Sequence, residues 1–173
     1  LVKATLRELA KSLNVSPFDV PKRLATLKTE VEELQSQLAE REHSGVLSPK
    51  TLLENAEKVN AVSLVIIQIP ATAPNLMRQW IDRLRKTASP CAVMLGTSEG
   101  DDKVVLVAGL SRDLVEKGIS AGNWVKDIAP LVGGGGGGKP DMAQAGGKQP
   151  EQLSIALEQA KHWMREQLER INN

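Results

Sequence analysis

The chain has 173 residues, 41% of them hydrophobic, enough for one compact domain of ordinary size plus an appendage and too few for two large domains. Its 22 Lys and Arg against 21 Asp and Glu leave a formal charge of +1, so no global field recruits nucleic acid or membrane and any anion site must be local. The single cysteine, Cys91, excludes an intrachain disulfide and a cysteine-based zinc cage; within PCAVML it reads as a buried small hydrophobe rather than a nucleophile, which suits a reducing cytoplasm.

In chain order, Leu6, Leu9 and Leu13 mark a short amphipathic helix that NVSPFDVP interrupts, with prolines acceptable only near a helix start. A second helix follows, its apolar residues Val20, Leu24, Leu27, Val31, Leu34 and Leu38 spaced alternately by four and three over about three heptads. Two partners for this seam stay open. The first helix covers it in an antiparallel hairpin, or a second copy does, with Leu24, Leu27, Val31, Leu34 and Leu38 as the dimerisation residues. A break near HSGVLSP, His43 to Pro49, separates this arm from the remainder of the chain.

Beyond the break the pattern alternates between helices and strands. Ser48-Pro49 starts a helix predicted to run through Val59, and VSLVIIQI, Val62 to Ile69, is too apolar to have one wet face, so it reads as a central strand. APNLMRQWIDRLRK places Leu76, Trp80 and Leu84 on one helical face, with Trp80 in the core. CAVMLG and KVVLVAG, joined by the turn-rich TSEGDD, predict a hairpin of two further strands. Ser111 starts a brief helix ending at Gly118, Ser120 starts another carrying Trp124, Ile128 and Leu131, and a final helix begins at Pro150 with Leu153, Leu157, Ala160, Met164, Leu168 and Ile171 in phase. The predicted fold is α/β: a mixed β-sheet flanked by helices over 49–173, preceded over 1–44 by a helical arm, hairpin or coiled coil.

Little in this pattern carries enzymatic chemistry. The two histidines, His43 and His162, lack the spaced partners that a metal or a nucleophilic triad requires, and Asp101-Asp102 fit a polar hairpin tip. No metal, cofactor or catalytic residue is expected. No apolar run reaches the roughly 18 residues needed to cross a bilayer, and there is no signal peptide. The start at Leu1 without a methionine suggests a piece of something longer.

The least ordinary stretch is GGGGGGKPDMAQAGG, Gly133 to Gly147. It formally matches G-x-x-x-x-G-K, but six glycines satisfy any glycine pattern, Pro140 stands where a Mg²⁺-binding Ser or Thr belongs, and the run follows a helix rather than a strand. The dinucleotide fingerprint fails on the same context. Two readings remain. A flexible linker is one. The other is a shaped surface, in which Gly133, Gly134, Gly135, Gly136, Gly137 and Gly138 turn successive N–H groups into a nest with Lys139 at its lip; MAQAGG favours it, because its alternating small residues suit a strand packed against another backbone.

This segment followed by a terminal helix resembles the C-terminal domain of alanyl-tRNA synthetase, often called C-Ala, and VVLVAGLSRDLVEKG and the leucine-spaced arm are similar to the same family. A related module accompanies DHH phosphoesterases, but its glycines lead into a histidine, and no Asp-His-His motif occurs in this chain. The resemblance implies a non-catalytic part of a larger enzyme that grips the outer corner of tRNA, by implication tRNA(Ala), and helps one tRNA serve the catalytic and editing domains. It also implies that the arm dimerises in some members. The glycine segment and Lys139 carry over as motif positions.

Outside the motif, Arg78, Arg83, Arg85 and Lys86, opposed only by Asp82, form the densest basic cluster. They are read either as phosphate contacts or as an ordinary charged helix face. The 2% aromatic content, with no tyrosine, argues against reading single strands by stacking and for binding folded RNA by shape. Three classes follow: an RNA-binding module, an oligomerisation module without major RNA contact, and an independent phosphoesterase. The first is the reading preferred.

Overall fold

In the computed structural model residues 2–42 and 48–171 are described, and the chain divides into two compact units, Leu1–Gly45 and Val46–Asn173. The first holds α1 (Val2–Ser12) and α2 (Val20–Glu42). Asn14 ends α1 in the left-handed region at φ 53°, while Val15 N–H bonds Ala10 O and Asn14 N–H bonds Lys11 O, the paired bonds of a Schellman stop. In this unit the middle of the α2 seam is largely exposed: Leu24, Val31 and Leu34 are 61%, 50% and 57% exposed. Ala10 of α1 and Val20 at the start of the seam are buried, 4% and 8% exposed, so any cover that α1 gives is confined to the seam's first turn among the described residues. His43 and the side chain of Leu38 lie outside the described residues.

The second unit opens with α3 (Pro49–Glu54), where the Ser48 hydroxyl accepts from Thr51 N, as an N-cap should. The helix predicted through Val59 stops five residues short. Glu57–Val59 form β1 instead, which pairs antiparallel with β2 (Val62–Gln68) in the register Val59↔Val62. The two residues between them, Asn60 and Ala61, both take positive φ, 49° and 67°, the backbone that a two-residue hairpin of native twist demands. Cross-strand pairing outweighs local helix propensity here.

After β2, α4 (Pro74–Thr87) crosses over to β3 (Cys91–Glu99), parallel to β2, and β3 turns back through Gly100 into β4 (Lys103–Leu110). Two short helices follow, α5 (Arg112–Glu116) and α6 (Ala121–Ile128), then a 3₁₀ turn Ala129–Val132. β5 (Gly135–Gly138), β6 (Met142–Gly147) and, after a short 3₁₀ turn, α7 (Leu153–Arg170) complete the chain. The six-stranded mixed sheet has the order β1-β2-β3-β4-β6-β5, and β4–β6 and β5–β6 are antiparallel. The expected central strand, hairpin and terminal helix are all present.

Strand alternation divides the core. On one face Leu64, Ile66, Met94, Leu106, Ala143 and Ala145 pack against Trp124 and Val125 of α6 and Leu153, Leu157, Ala160 and Met164 of α7. On the other, Met77, Trp80, Ile81 and Leu84 of α4, all fully buried, cover β3 and β4. Trp124 donates its indole N–H to Ala160 O (3.1 Å) and stacks on Trp163 at 6.1 Å between ring centres, and Trp163 donates to Asp127 Oδ2 (2.7 Å), so α6 and α7 are joined by polar as well as apolar contacts. α4 lies over β3 and β4, and on the same face of the sheet nothing lies within 4 Å of a Cβ added at Gly135 or Gly137 of β5.

Candidate functional site

The glycine run is neither linker nor nest. Gly133 alone in it has positive φ (65°), closing the 3₁₀ turn with its N–H on Pro130 O, and Gly134 N–H bonds Ala129 O. Gly135–Gly138 then form the outermost strand, paired Gly135↔Gly146, Gly136↔Ala145, Gly137↔Gln144 and Gly138↔Ala143. A nest needs alternating handedness along the backbone. An extended strand points its N–H groups alternately left and right instead. Lys139, expected at the lip of a nest, stands exposed at the hairpin turn with its N–H on Met142 O (2.9 Å).

The two sets of glycines do different things. A Cβ added at Gly134, Gly136 or Gly138 would lie 1.7, 2.3 or 2.6 Å from backbone atoms of β6. These positions share a face with Ala143 and Ala145, under α6, whose Gly122 comes so close that its own Cβ would be 2.8 Å from Gly138 O. Gly135 and Gly137 face the other way, with nothing within 4 Å of an added Cβ. Their cross-strand neighbours on that face are Gly146 and Gln144, directly opposite in an antiparallel ladder. The result is a shelf of bare backbone made by Gly135, Gly137 and Gly146, with the Gln144 side chain rising among them and Met142 beyond it toward the turn. The Lys139–Met142 bond sets the ladder phase, so Gly136 and Gly138 turn their N–H groups toward the outer edge.

The basic cluster on α4 splits. Arg78 donates from Nη2 to Gln144 Oε1 and from Nη1 to Asn75 Oδ1 (3.4 Å), which brings it to the shelf. Arg85, two turns on, reaches the turn of the same hairpin: Nη1 donates to Asp141 O (3.0 Å) and Asp141 Oδ2 (3.2 Å), and Nη2 pairs with Asp82 (2.6 Å). Its side chain is 22% exposed. The phosphate role read for Arg85 from the sequence thus competes with a clasp it already forms between α4 and β6. Arg83 and Lys86 are exposed but lie roughly 140–160° and 80–100° around the helix from the Arg78–Arg85 flank at 3.6 residues per turn. They are not brought to the shelf.

Three lysines frame the glycine hairpin instead. Lys139 follows β5, Lys148 follows β6, and Lys126 lies one helical turn beyond Gly122 on α6; all three are exposed, and among the described residues none is in a salt bridge. Sequence reasoning missed Lys126, Lys148 and Gln144. The signal for Gln144 was present, since strand alternation through MAQAGG puts it on one face with Met142 and Gly146.

Elsewhere the chemistry is muted. Cys91 is fully buried and its thiol is pushed up to about 11, chiefly by that burial. His162 sits exposed on α7 beside Glu166, 3.3 Å away. Asp101 and Asp102 occupy the exposed β3–β4 turn, as their sequence context suggests. Among the described residues no three His, Cys, Asp or Glu are grouped as a metal would need, and no helix is long and apolar enough to cross a membrane.

A family model for the DHHA1 domain matches residues 61–166, which span β2 through most of α7. The alanine–tRNA ligase of Rhodopirellula baltica is 46% identical over 168 residues, covering 96% of this chain and 18% of that protein; the chain thus spans about a fifth of the relatives it matches. The crystal structure of the C-Ala domain from Aquifex aeolicus alanyl-tRNA synthetase superposes with a TM-score of 0.59 at 27% identity, over 64% of this chain and 98% of that one. RecJ from Thermus thermophilus, solved with Mg²⁺, shares the fold at a TM-score of 0.50 and 14% identity, over 90% of this chain and 23% of that one.

Proposed function

The chain belongs to the DHHA1 domain family and is homologous to the C-terminal domain of alanyl-tRNA synthetase, and from that premise we propose that it is a non-catalytic tRNA-binding module. In this reading it grips the outer corner of tRNA(Ala) and helps the aminoacylation and editing sites of a cytoplasmic parent enzyme share one tRNA. One observation supports it most: an edge strand without side chains, framed by Lys126, Lys139 and Lys148, none held in a salt bridge among the described residues. A bare strand lets a bulky ligand approach the backbone, and cations without acidic partners are free to displace counterions from phosphates.

The test is a titration of folded tRNA into the chain at several salt concentrations. If three lysines each neutralise one phosphate, log K should fall against log salt with a slope of roughly −2 to −3. Absence of binding at low salt would overturn the reading. Purified chain should neither charge tRNA nor deacylate mischarged tRNA.

A second reading, an oligomerisation module without major RNA contact, is favoured by the exposed seam of Leu24, Val31 and Leu34. Sedimentation at several concentrations, with and without tRNA, separates the two. Self-association with no effect of tRNA would favour the second.

A further inference from the structure

The Gln144 side chain, which rises among the shelf glycines, is held in a defined orientation. An amide side chain can present either its oxygen or its nitrogen, and only its neighbours decide which. Arg78 decides it for Gln144. A guanidinium has donors and no acceptor, so the atom facing Arg78 Nη2 must be the amide oxygen, Oε1. The amide nitrogen is thereby turned away, and among the described residues it has no protein partner. Gln144 stands directly across from Gly137, with Gly146 on the same strand and Gly135 opposite, so the ladder beside it toward the sheet's end is bare backbone, while Met142 lies on its other side toward the turn. Its two N–H donors therefore border the open ground over Gly135 and Gly137.

We infer that Gln144 reads a hydrogen-bond acceptor on RNA docked against the shelf, and that Arg78 is the residue that positions it. This rests on the tRNA-binding reading. The acceptor is a base or ribose atom or a phosphate oxygen; a donor group placed at that point meets the amide N–H groups head on and is rejected. Arg78 acts through Gln144, so its contribution is orientation in addition to charge.

The experiment uses the whole chain, with tRNA and inorganic polyphosphate as separate probes, and the variants Gln144→Met, Gln144→Glu, Arg78→Met and the double Arg78→Met/Gln144→Met. Gln144→Met keeps the length and removes the donors, so tRNA affinity should fall roughly five- to tenfold, the scale of one hydrogen bond, with an unchanged salt slope. Gln144→Glu retains the contact with Arg78 and secures the fold of the hairpin, yet offers no donor, so it should lose more. The double variant should lose less than the product of the single losses, because Arg78 has nothing to orient once Gln144 is gone.

A loss for tRNA alone assigns the acceptor to a base or ribose; equal losses for polyphosphate assign it to phosphate. Unchanged tRNA affinity in a folded Gln144→Met variant overturns the inference while leaving tRNA binding intact. Fully multiplicative losses overturn the positioning role of Arg78. Failure of the unmodified chain to bind tRNA overturns both this inference and the reading beneath it.

Discussion

Alternation along β5 makes neighbouring glycines unequal. Gly136 cannot take a Cβ without moving the backbone of β6 at Gln144 and Ala145, whereas Gly135 has open space and no positive φ. Gly136→Ala should therefore destabilise the chain by roughly 1–3 kcal/mol, in the range of backbone-level perturbations. Gly135→Ala should leave stability unchanged or raise it by about 0.4–1 kcal/mol through a less flexible unfolded state. Both values are read from denaturant midpoints. The Gly135 variant nevertheless puts a methyl group on the shelf, so its tRNA affinity should fall while its stability does not. Equal stability effects at the two positions would contradict the strand assignment. Cys91 gives a second residue-level expectation. Its thiol titrates near 11 in the folded chain against an ordinary 9.0, so between these values the unfolded chain has lost a proton that the folded chain still holds. Stability must then fall as pH rises through that window, by at most about 1.4 kcal/mol per unit. With no tyrosine present, a Cys91→Ala variant measured from pH 8 to 11 should show a shallower decline than the parent.

Two elements are held by contacts that no local pattern announces. Arg85 ties the C-terminal turn of α4 to the β5–β6 turn through Asp141, with Asp82 as its second acid. Arg85→Met should cost roughly 1–3 kcal/mol, as loss of charge-assisted bonds in a partly buried site does, and should lower amide protection near 139–142. It should also leave the salt slope of tRNA binding unchanged. A slope smaller by about one unit would instead restore the phosphate role read from the sequence. At the other margin, Ala61 holds a left-handed backbone at φ 67°, where a Cβ costs about 1–2 kcal/mol. Ala61→Gly, despite glycine's entropic cost of roughly 0.5–1 kcal/mol, should raise the denaturant midpoint slightly. These cases mark the boundary of what was legible. The runs VSLVIIQI, CAVMLG and KVVLVAG announced β2, β3 and β4 because burial on both faces demands continuous apolar residues. β1 was hidden because Glu57–Val59 owe their strand to pairing across Asn60-Ala61, not to their own pattern. The glycines lack the side chains that make a strand visible, so only their partner MAQAGG carried the signal. The basic cluster was legible as charge, but which arginine met an acid depended on Asp141, 56 residues away from Arg85.

At the scale of the molecule, 22 basic against 21 acidic residues leave no long-range field, so the tRNA recognition we propose depends on the local placement of cations such as Lys126, Lys139 and Lys148, which among the described residues stand outside salt bridges. The same economy does not extend to the arm. Leu24, Val31 and Leu34 repeat at spacings of seven and three with half or more of each side chain exposed, and Leu27 between them is partly so. Burying such a side chain contributes roughly 1.5–3 kcal/mol, against an association cost of about 4–15 kcal/mol. Leu24, Val31 and Leu34, each with about half of its surface left to bury, and the less exposed Leu27, counted in both copies, offer roughly 6–12 kcal/mol, of the same size as that cost. We expect weak, concentration-dependent self-association through α2, as a two-fold contact in which the same seam serves both copies. Leu27→Glu with Leu34→Glu places four carboxylates in that contact, and sedimentation should then give the monomer mass. The tryptophan signal should stay unchanged, because Trp80, Trp124 and Trp163 all belong to the second unit. If the unmodified chain sediments as a monomer throughout, the seam does not join two copies, and the dimerisation residues named for the arm lose that role.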